Sequence, residues 1–366
     1  MFMRTNRFSD SDTQMKTSPQ FIKDMEYVCN AQFIPWENLK DKTVFITGAT
    51  GLIGYTLVQA LLYANKTRQL NLKVLALVRD LCRAEERFKD VDNDALEYII
   101  GNVEQLPYIE HPIDYIVHGA SQTASKAFVN QPVETILTAI KGTENLLELA
   151  KAKNVAGMVY LSSMEVYGFP EKGHKVTEDE IGTLSPLDVR NSYPISKIQC
   201  ESLCCAYAKE YGIPVMSARL TQTLGPGVNY NDGRVFAEFA RCVVEKRDIV
   251  LKTTGETERC YLYTADAATA ILTILLKGSA GQAYNVANES TYCSIAKMAE
   301  KVAAQGGIKV RYDIQPEALN GFPKTLYMYL DTSLLQSLGW KSEGGGIAEM
   351  YSRMISEFIK TPFLYK

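Results

Sequence analysis

An α/β fold, with a doubly wound parallel sheet followed by a smaller carboxy-terminal α/β lobe, is what this 366-residue sequence predicts, and three observations carry the prediction. Short apolar runs recur at Thr43–Thr47, Val74–Val78, Tyr98–Ile100, Tyr115–His118, Met158–Ser162 and Val215–Leu220, with helical periodicity between most of them. Strands that alternate with helices pair in parallel beneath helices on both faces. The runs are near-continuously apolar, as strands covered on both faces are. The third observation is the glycine-spaced stretch Gly48-Ala49-Thr50-Gly51-Leu52-Ile53-Gly54, which directly follows the first run and opens a helical segment from Leu52 to Leu62. After Leu220 the alternation breaks at Gly225-Pro226-Gly227, and mixed helices and short strands follow, interleaved with returns to the sheet.

Composition narrows the function classes. With 46% hydrophobic and 22% charged residues the chain reads as an ordinary soluble globular protein. A formal charge of −3 and the lack of a lysine/arginine run speak against nucleic acid and anionic membrane surfaces as partners. No apolar run approaches the roughly 20 residues of a membrane span. The eight cysteines (Cys29, Cys82, Cys200, Cys204, Cys205, Cys242, Cys260, Cys293) show neither a CxxC pair nor a regular spacing, so no disulfide framework and no metal site are expected. Reduced thiols imply a cytoplasmic protein. Residues 1–40 are polar and lack the apolar core of a signal peptide. Within them Phe21-Ile22, Met25 and Val28-Cys29 recur at helical spacing, which predicts an amphipathic helix that packs on the domain or on a second subunit.

Glycines spaced as Gly48, Gly51 and Gly54, after a strand and at the start of a helix, let backbone approach a pyrophosphate where free N–H groups and the helix dipole favour negative charge. Gly48, Thr50, Gly51, Leu52, Ile53 and Gly54 are therefore candidate contacts to a dinucleotide, and the first domain is expected to be Rossmann-like. The second strand ends Leu77-Val78-Arg79-Asp80. An acidic residue there suits the ribose 2′-hydroxyl of NAD, and an arginine suits the 2′-phosphate of NADP. Arg79, with Arg83 nearby, and Asp80 leave both open, with NAD preferred. Asn102 and Val103, after the third strand, are candidates for the adenine side. The resulting division is an amino-terminal helical extension over 1–40, an NAD(P)-binding domain over 41–220 and a mainly substrate-binding lobe over 221–366, with segments returning to the first domain.

Tyr193 and Lys197 in Tyr193-Pro194-Ile195-Ser196-Lys197 stand four residues apart, so a helix places them one above the other. An ammonium beside a phenol is expected to lower the phenol's pKa from about 10 toward neutrality, which fits it to exchange a proton with a sugar hydroxyl. Taken in order, Thr47 to Gly54, Leu161-Ser162-Ser163-Met164-Glu165-Val166-Tyr167-Gly168 and Tyr193 to Lys197 resemble the extended short-chain dehydrogenase/reductases. Within them the likeness is to the NAD-dependent epimerase/dehydratase branch of nucleotide-sugar enzymes. It runs from about Lys42 to the carboxy terminus, with Arg259 to Asp266 and Leu338-Gly339-Trp340 as further landmarks. Asn231-Asp232-Gly233-Arg234-Val235 and the Ser-x-Glu-Val-Tyr-Gly form look most like UDP-glucuronate decarboxylases.

The resemblance implies that Ser163 hydrogen-bonds the reacting hydroxyl, Tyr193 removes its proton, and Lys197 binds the nicotinamide ribose. The similar dehydratases carry an Asp-Glu pair where this chain has Met164-Glu165, and methionine cannot protonate a leaving hydroxyl. Elimination of water is thus disfavoured. A C4 ketone still makes a C6 carboxylate a β-keto acid, and it acidifies C5, where Glu165 would act as base. Arg259 is expected to pair with the substrate diphosphate, Gln222 to contact the sugar diphosphate, and Arg234 to touch phosphate or uridine. A UDP-sugar substrate and a homodimer follow from the same likeness, the dimer through helices from about Val133 to Lys153 and from about Ser192 to Glu210.

Two departures stand out: Ala139 replaces an asparagine found in relatives, and Pro323-Lys324-Thr325 replaces an Arg-x-Pro-Asp element. The leading expectation is a UDP-glucuronate decarboxylase-like enzyme acting by transient C4 oxidation. The alternatives are a 4- or 5-epimerase, a 4,6-dehydratase or a 4-ketoreductase, and, outside enzymes, a catalytically inactive dinucleotide-binding sensor.

Overall fold

The computed structural model describes residues 18–89, 91, 94–122, 125–314 and 324–360. Along the chain, α1 (Pro19–Asn30) precedes β1 (Thr43–Thr47), α2 (Leu52–Arg68), β2 (Lys73–Val78), α3 (Leu81–Phe88), β3 (Leu96–Ile100) and β4 (Tyr115–His118). There follow α4 (Ser125–Asn130), α5 (Pro132–Lys153), β5 (Gly157–Ser163), β6 (Lys175–Val176), α6 (Ser192–Tyr211) and β7 (Val215–Leu220). Next come β8 (Gln222–Leu224), α7 (Val235–Val244), β9 (Ile249–Leu251), β10 (Glu258–Tyr263), α8 (Thr264–Lys277), β11 (Ala283–Val286) and β12 (Asn288–Ser294). The chain continues through α9 (Ile295–Gly306), β13 (Val310–Tyr312), β14 (Tyr327–Leu330), α10 (Ser333–Ser337) and α11 (Ile347–Lys360).

A seven-stranded sheet has the order β11-β7-β5-β4-β1-β2-β3, with every neighbouring pair parallel. The chain winds outward from β1 in one direction through β2 and β3, then in the other through β4, β5 and β7. The crevice at the carboxyl ends of β1 and β4 is therefore the topological switch point, where such sheets bind ligands. β1, β4 and β5 are buried along their whole lengths, in agreement with their unbroken apolar runs. β3, at the edge, is only half-covered. Successive residues of each strand feed opposite faces. Val44, Ile46, Val74, Ala76 and Leu161 join the core under α2 and α8, while Phe45, Leu75, Met158 and Tyr160 join Leu146, Leu147, Cys200 and Cys204 of α5 and α6.

A smaller sheet runs β12-β10-β14-β6, with β8 paired to β10. β6 lies before residue 220 yet belongs to this sheet, and β11 lies after it yet completes the larger one. The helix expected from Phe21, Met25, Val28 and Cys29 is α1, and these four side chains are buried. Ser18 Oγ accepts the Phe21 N–H (3.1 Å) and Pro19 occupies the first turn, so both the cap and the fixed φ favour a start there. α1 packs on α2 and α8 of its own chain. Two reciprocal bonds hold it: the Tyr263 hydroxyl donates to Asp24 (2.7 Å) and the Tyr27 hydroxyl donates to Asp266 (2.7 Å).

Candidate active site

The β1–α2 connection is shaped by close backbone approach. Gly48 has φ +72°, and a Cβ there would lie 2.7 Å from the Gly119 carbonyl carbon, so β1 and β4 meet without room for a side chain. Gly54 lies against the same turn, where a Cβ would stand 2.2 Å from the Gly48 oxygen. Gly51 caps α2 with no side-chain bond, and no acidic residue occupies the first turn. The amino-terminal N–H groups of α2 thus face an exposed Gly51 with Thr50, Leu52 and Ile53 half-buried around it. An unacidic, uncapped helix start beside a glycine turn suits a pyrophosphate.

On the other side of the switch point His118 is buried between two hydroxyls. Thr47 Oγ1 accepts the Ala120 N–H (3.1 Å) and shares a hydrogen bond with His118 Nδ1 (2.8 Å). His118 Nε2 shares a hydrogen bond with Thr143 Oγ1 (3.3 Å), so the two ring nitrogens are both engaged, one as donor and one as acceptor in the neutral ring. Burial first, and the charge of Lys197 second, bring the imidazole down to about 3, so it is neutral at physiological pH. The turn Gly119-Ala120 is fixed by this chain of bonds, whose members Thr47 and Thr143 the sequence did not single out. Their signal is weak, since a threonine at a strand end or in a helix has many uses.

The adenosine-side candidates divide. Arg79 is exposed, and the Asp80 carboxylate accepts the Arg83 N–H (3.0 Å) as the cap of α3. Asn102 Oδ1 accepts the Gln105 N–H (2.8 Å) and so closes a turn. Val103 is buried: its side chain packs on Gly142 of α5, and its carbonyl accepts from Asn145.

The proton-transfer candidates converge at the end of β5 and the start of α6. Ser163 ends β5 and its Oγ accepts the Glu165 N–H (3.2 Å), opening a 3₁₀ turn over Met164–Tyr167. That turn is anchored by Tyr167, whose hydroxyl donates to Asn285 (2.7 Å) and accepts from Arg219 (2.7 Å). Pro194 is accommodated because it lies in the first turn of α6, where N–H groups have no helical partner. Tyr193 is buried and stacks on Phe128 of α4, with centroids 4.4 Å apart and planes 7° from parallel. Lys197 is buried one turn on, and its Nζ donates to the Leu161 carbonyl (2.8 Å) and lies 5.6 Å from the Tyr193 ring centre.

Here the structure corrects the sequence expectation for the phenol. Burial pushes the Tyr193 pKa up, with the Glu165 charge adding to the rise, and a hydrogen bond with Ser163 opposes it. Lys197 does not reverse the sign: burial lowers its own pKa to about 8, and its ammonium is aimed at a backbone carbonyl. Spacing on a helix placed the two groups on one face; solvent exclusion decided the direction of the shift.

Glu165 is half-buried, and burial raises its pKa against the opposing fields of Arg190 and Arg259. Arg190 was not among the sequence candidates, because its proximity to Glu165 depends on the return of the chain 25 residues later. Met164 turns away into an apolar cluster with Val166, Cys260, Met328 and Leu330, and its sulfur accepts from Thr221 Oγ1 (3.2 Å). Gln222 and Arg259 come together, Arg259 Nη1 donating to Gln222 Oε1 at 3.5 Å. Arg234 stands apart from them in its bonding: it caps α7 and its guanidinium is paired with Asp232 (2.5 Å). At Ala139, α5 meets α6 through Cys200, whose Sγ donates to the Ala139 carbonyl (3.3 Å). Lys324 lies beside Phe169 (Nζ to ring centre 6.0 Å), and Pro323 is outside the described residues.

A family model described as the NAD dependent epimerase/dehydratase family matches residues 44–287. The chain belongs to that family. Its NAD dependence answers the choice that Arg79 and Asp80 left open, and the uncapped glycine turn at the switch point fits such a dinucleotide. UDP-glucuronic acid decarboxylase 1 of Xenopus tropicalis is 27% identical over 293 residues, which are 78% of this chain and 67% of that one, so the chain spans about two thirds of that protein. Among solved structures, the dTDP-glucose 4,6-dehydratase DesIV of Streptomyces venezuelae, with NAD and TYD bound, has a TM-score of 0.74 at 22% identity, covering 88% of this chain and 99% of that one. An epimerase of Methanothermobacter thermautotrophicus matches with a TM-score of 0.74 at 19% identity, covering 95% and 98%. A protein named as a UDP-glucuronic acid decarboxylase is thus similar in sequence, and proteins named as a dTDP-glucose 4,6-dehydratase and an epimerase share the fold.

Proposed function

We propose that this family member decarboxylates UDP-glucuronate through transient oxidation at C4. The observation that carries this reading is Met164, which is apolar and packed inward where elimination of water needs an acid, while Glu165 beside it keeps its carboxyl. The glycine turn Gly48–Gly54 and Lys197 would hold NAD, which when bound would supply the hydride-transfer chemistry at C4. Tyr193, as the phenolate, would take the C4 hydroxyl proton, with Ser163 orienting that hydroxyl, and would give a proton back at the closing reduction; burial disfavours that ionised form, so a cation bound beside the ring is needed to offset the shift. With C4 a ketone, the C5–C6 bond breaks, the C6 carboxylate leaves as carbon dioxide, and its electron pair passes into the enolate over C4 and C5. Glu165, whose pKa is raised by burial, is suited to hold the proton that C5 then needs. Arg259 and Gln222 would bind the diphosphate. The same Glu165 would serve C5 epimerisation, so product analysis is the test. Incubation with UDP-glucuronate is expected to release carbon dioxide and a UDP-pentose; a product of unchanged mass and new stereochemistry would replace this reading by epimerisation, and a 6-deoxy-4-keto product from a parallel incubation with UDP-glucose would refute the argument from Met164.

The division at residue 220, with the first part for NAD and the second for the sugar nucleotide, is part of the same proposal, with β6 and β11 exchanged between the sheets. A homodimer through α5 and α6 is supported by the exposed Val133 and Leu137 on α5 and Ile198 and Tyr211 on α6. A reducing compartment is supported by free thiols at all eight cysteines.

A further inference from the structure

We infer that Tyr160 is a positioning residue whose ring face holds the Lys197 ammonium against the end of β5, beside Tyr193. The inference rests on the reading above, in which a charge at Lys197 serves the proton exchange at Tyr193. Lys197 Nζ is buried and gives one of its donors to the Leu161 carbonyl (2.8 Å). Glu201, one turn further along α6, gives its carboxylate to Arg219 instead (2.7 Å). An ammonium taken out of water needs more compensation than one carbonyl supplies. Tyr160, the residue before Leu161, offers the rest: its ring centre lies 4.7 Å from Nζ, with the ammonium over the face, nearer than the Tyr193 ring centre at 5.6 Å. Two successive residues of β5 thus hold the charge, one by a ring and one by a carbonyl.

The sheet fixes where that ring stands. Tyr160 is the register partner of His118 in β4, and the two rings lie 5.5 Å apart centre to centre. The Tyr160 hydroxyl is buried without a hydrogen-bond partner among the described residues, and burial keeps it protonated. A buried hydroxyl that bonds to nothing is costly, so the ring and not the oxygen is what this position uses. The titratable groups around Lys197 are His118 from β4, which is neutral, Tyr160 from β5, and Tyr193, Cys200, Glu201 and Cys204 from α6. α5 and α4 bring the uncharged Thr143 and Phe128, which bond to His118 and stack on Tyr193. Burial lowers the lysine to about 8 against the favourable fields of Cys200, Glu201 and Cys204, so its charge is sensitive to any further loss of stabilisation. Once that proton is gone, the cation beside Tyr193 is gone with it.

Carbon-13 NMR titration of the Lys197 Cε in the NAD-loaded protein, with the signal identified by its loss in Lys197→Arg, reads this without turnover. Tyr160→Leu is expected to lower the titration midpoint by about 1 pH unit, the size of a desolvated contact between a cation and a ring, and Tyr160→Phe, which keeps the ring face, to stay within about 0.3 unit of wild type. With UDP-glucuronate, the alkaline fall in carbon dioxide release should move down by the same amount in Tyr160→Leu and stay in place in Tyr160→Phe. A midpoint unchanged or raised in Tyr160→Leu, or lowered equally in Tyr160→Phe, would overturn the inference. If Tyr160→Leu does not melt cooperatively, Tyr160→Met, also apolar and without a ring, is judged by the same criterion. A ring-dependent midpoint with no carbon dioxide release would support the contact and refute the decarboxylase reading; carbon dioxide release with a midpoint indifferent to the ring would refute the role of Tyr160 and leave that reading intact.

Discussion

Gly54→Ala sets two effects of known sign against each other. In the first turn of α2 alanine is favoured over glycine by up to about 1 kcal/mol. Against this, the new Cβ would stand 2.2 Å from the Gly48 oxygen and 2.8 Å from the Ala49 Cα, and both are backbone atoms. Restoring an ordinary contact of 3.4 Å requires a retreat of about 1.2 Å, the difference between 3.4 and 2.2. Gly48 has little room to give, because the Gly119 backbone packs so close to it that a Cβ on Gly48 would lie only 2.7 Å from the Gly119 carbonyl carbon. Overpacking of this kind costs about 1–3 kcal/mol, so the net loss is about 0–3 kcal/mol and the melting temperature should fall by no more than roughly 5 °C. The functional effect should be larger, since a displacement of about 1 Å in a positioning element costs on the order of 100-fold. Titration of NAD into stripped protein is expected to show affinity lowered about 10- to 100-fold in a variant that still melts cooperatively. An NAD affinity within 2-fold of wild type, together with a raised melting temperature, would refute the assignment of this turn as the pyrophosphate cradle.

Other substitutions separate chemistry from stability. Tyr193→Phe keeps the stack on Phe128 and removes only the hydroxyl, so turnover should drop by about 100- to 10,000-fold with NAD binding unchanged; retained turnover in a product assay would remove Tyr193 from the proton path. Asp24 tests linkage in the amino-terminal helix: burial raises its carboxyl from 3.8 to about 6, so the native state holds a proton between those values that the unfolded chain has released. Its stabilising contribution is therefore full below about pH 4 and declines by up to about 3 kcal/mol as pH rises past 6, the size set by the gap between 3.8 and about 6. Asp24→Asn should consequently gain stability over wild type on going from pH 4 to pH 8 in urea unfolding, and a difference independent of pH would contradict the shift. Glu201→Ala should cost about 3–5 kcal/mol in the same assay, because it leaves the largely buried Arg219 without its bidentate partner; a loss under 1 kcal/mol would show that the pair contributes little.

Most of the sheet was legible before the structure because strands buried on both faces must be apolar throughout, which is why β1, β4 and β5 fall where their runs do. The small strands were not. β6 is two residues long and owes its existence to pairing with β14, more than 150 positions later, through Tyr329↔Lys175 and Leu330↔Val176. The candidate site divides along the same line. Ser163, Tyr193 and Lys197 belong to two short segments with a readable spacing, whereas the Arg190 charge reaches Glu165, and Phe128 stacks on Tyr193, only through the crossing of α4, the 3₁₀ turn and α6. Asn102 carries a local role as well, since its Oδ1 accepts the Gln105 N–H and closes a turn at the end of β3.

By itself, the sequence determined what one or two turns of backbone can encode: a glycine-lined strand-to-helix turn, a tyrosine and lysine on one helix face, and a methionine where an acid would serve dehydration. Tertiary structure alone decided what depends on solvent exclusion and distant partners. It aimed Lys197 at Leu161, raised rather than lowered the Tyr193 pKa, packed Met164 into an apolar cluster, and brought two arginines into the field of Glu165. Spacing along a chain fixes which groups share a face, but desolvation and Coulomb fields sum over every segment that packs around them, and those segments meet only in the folded protein.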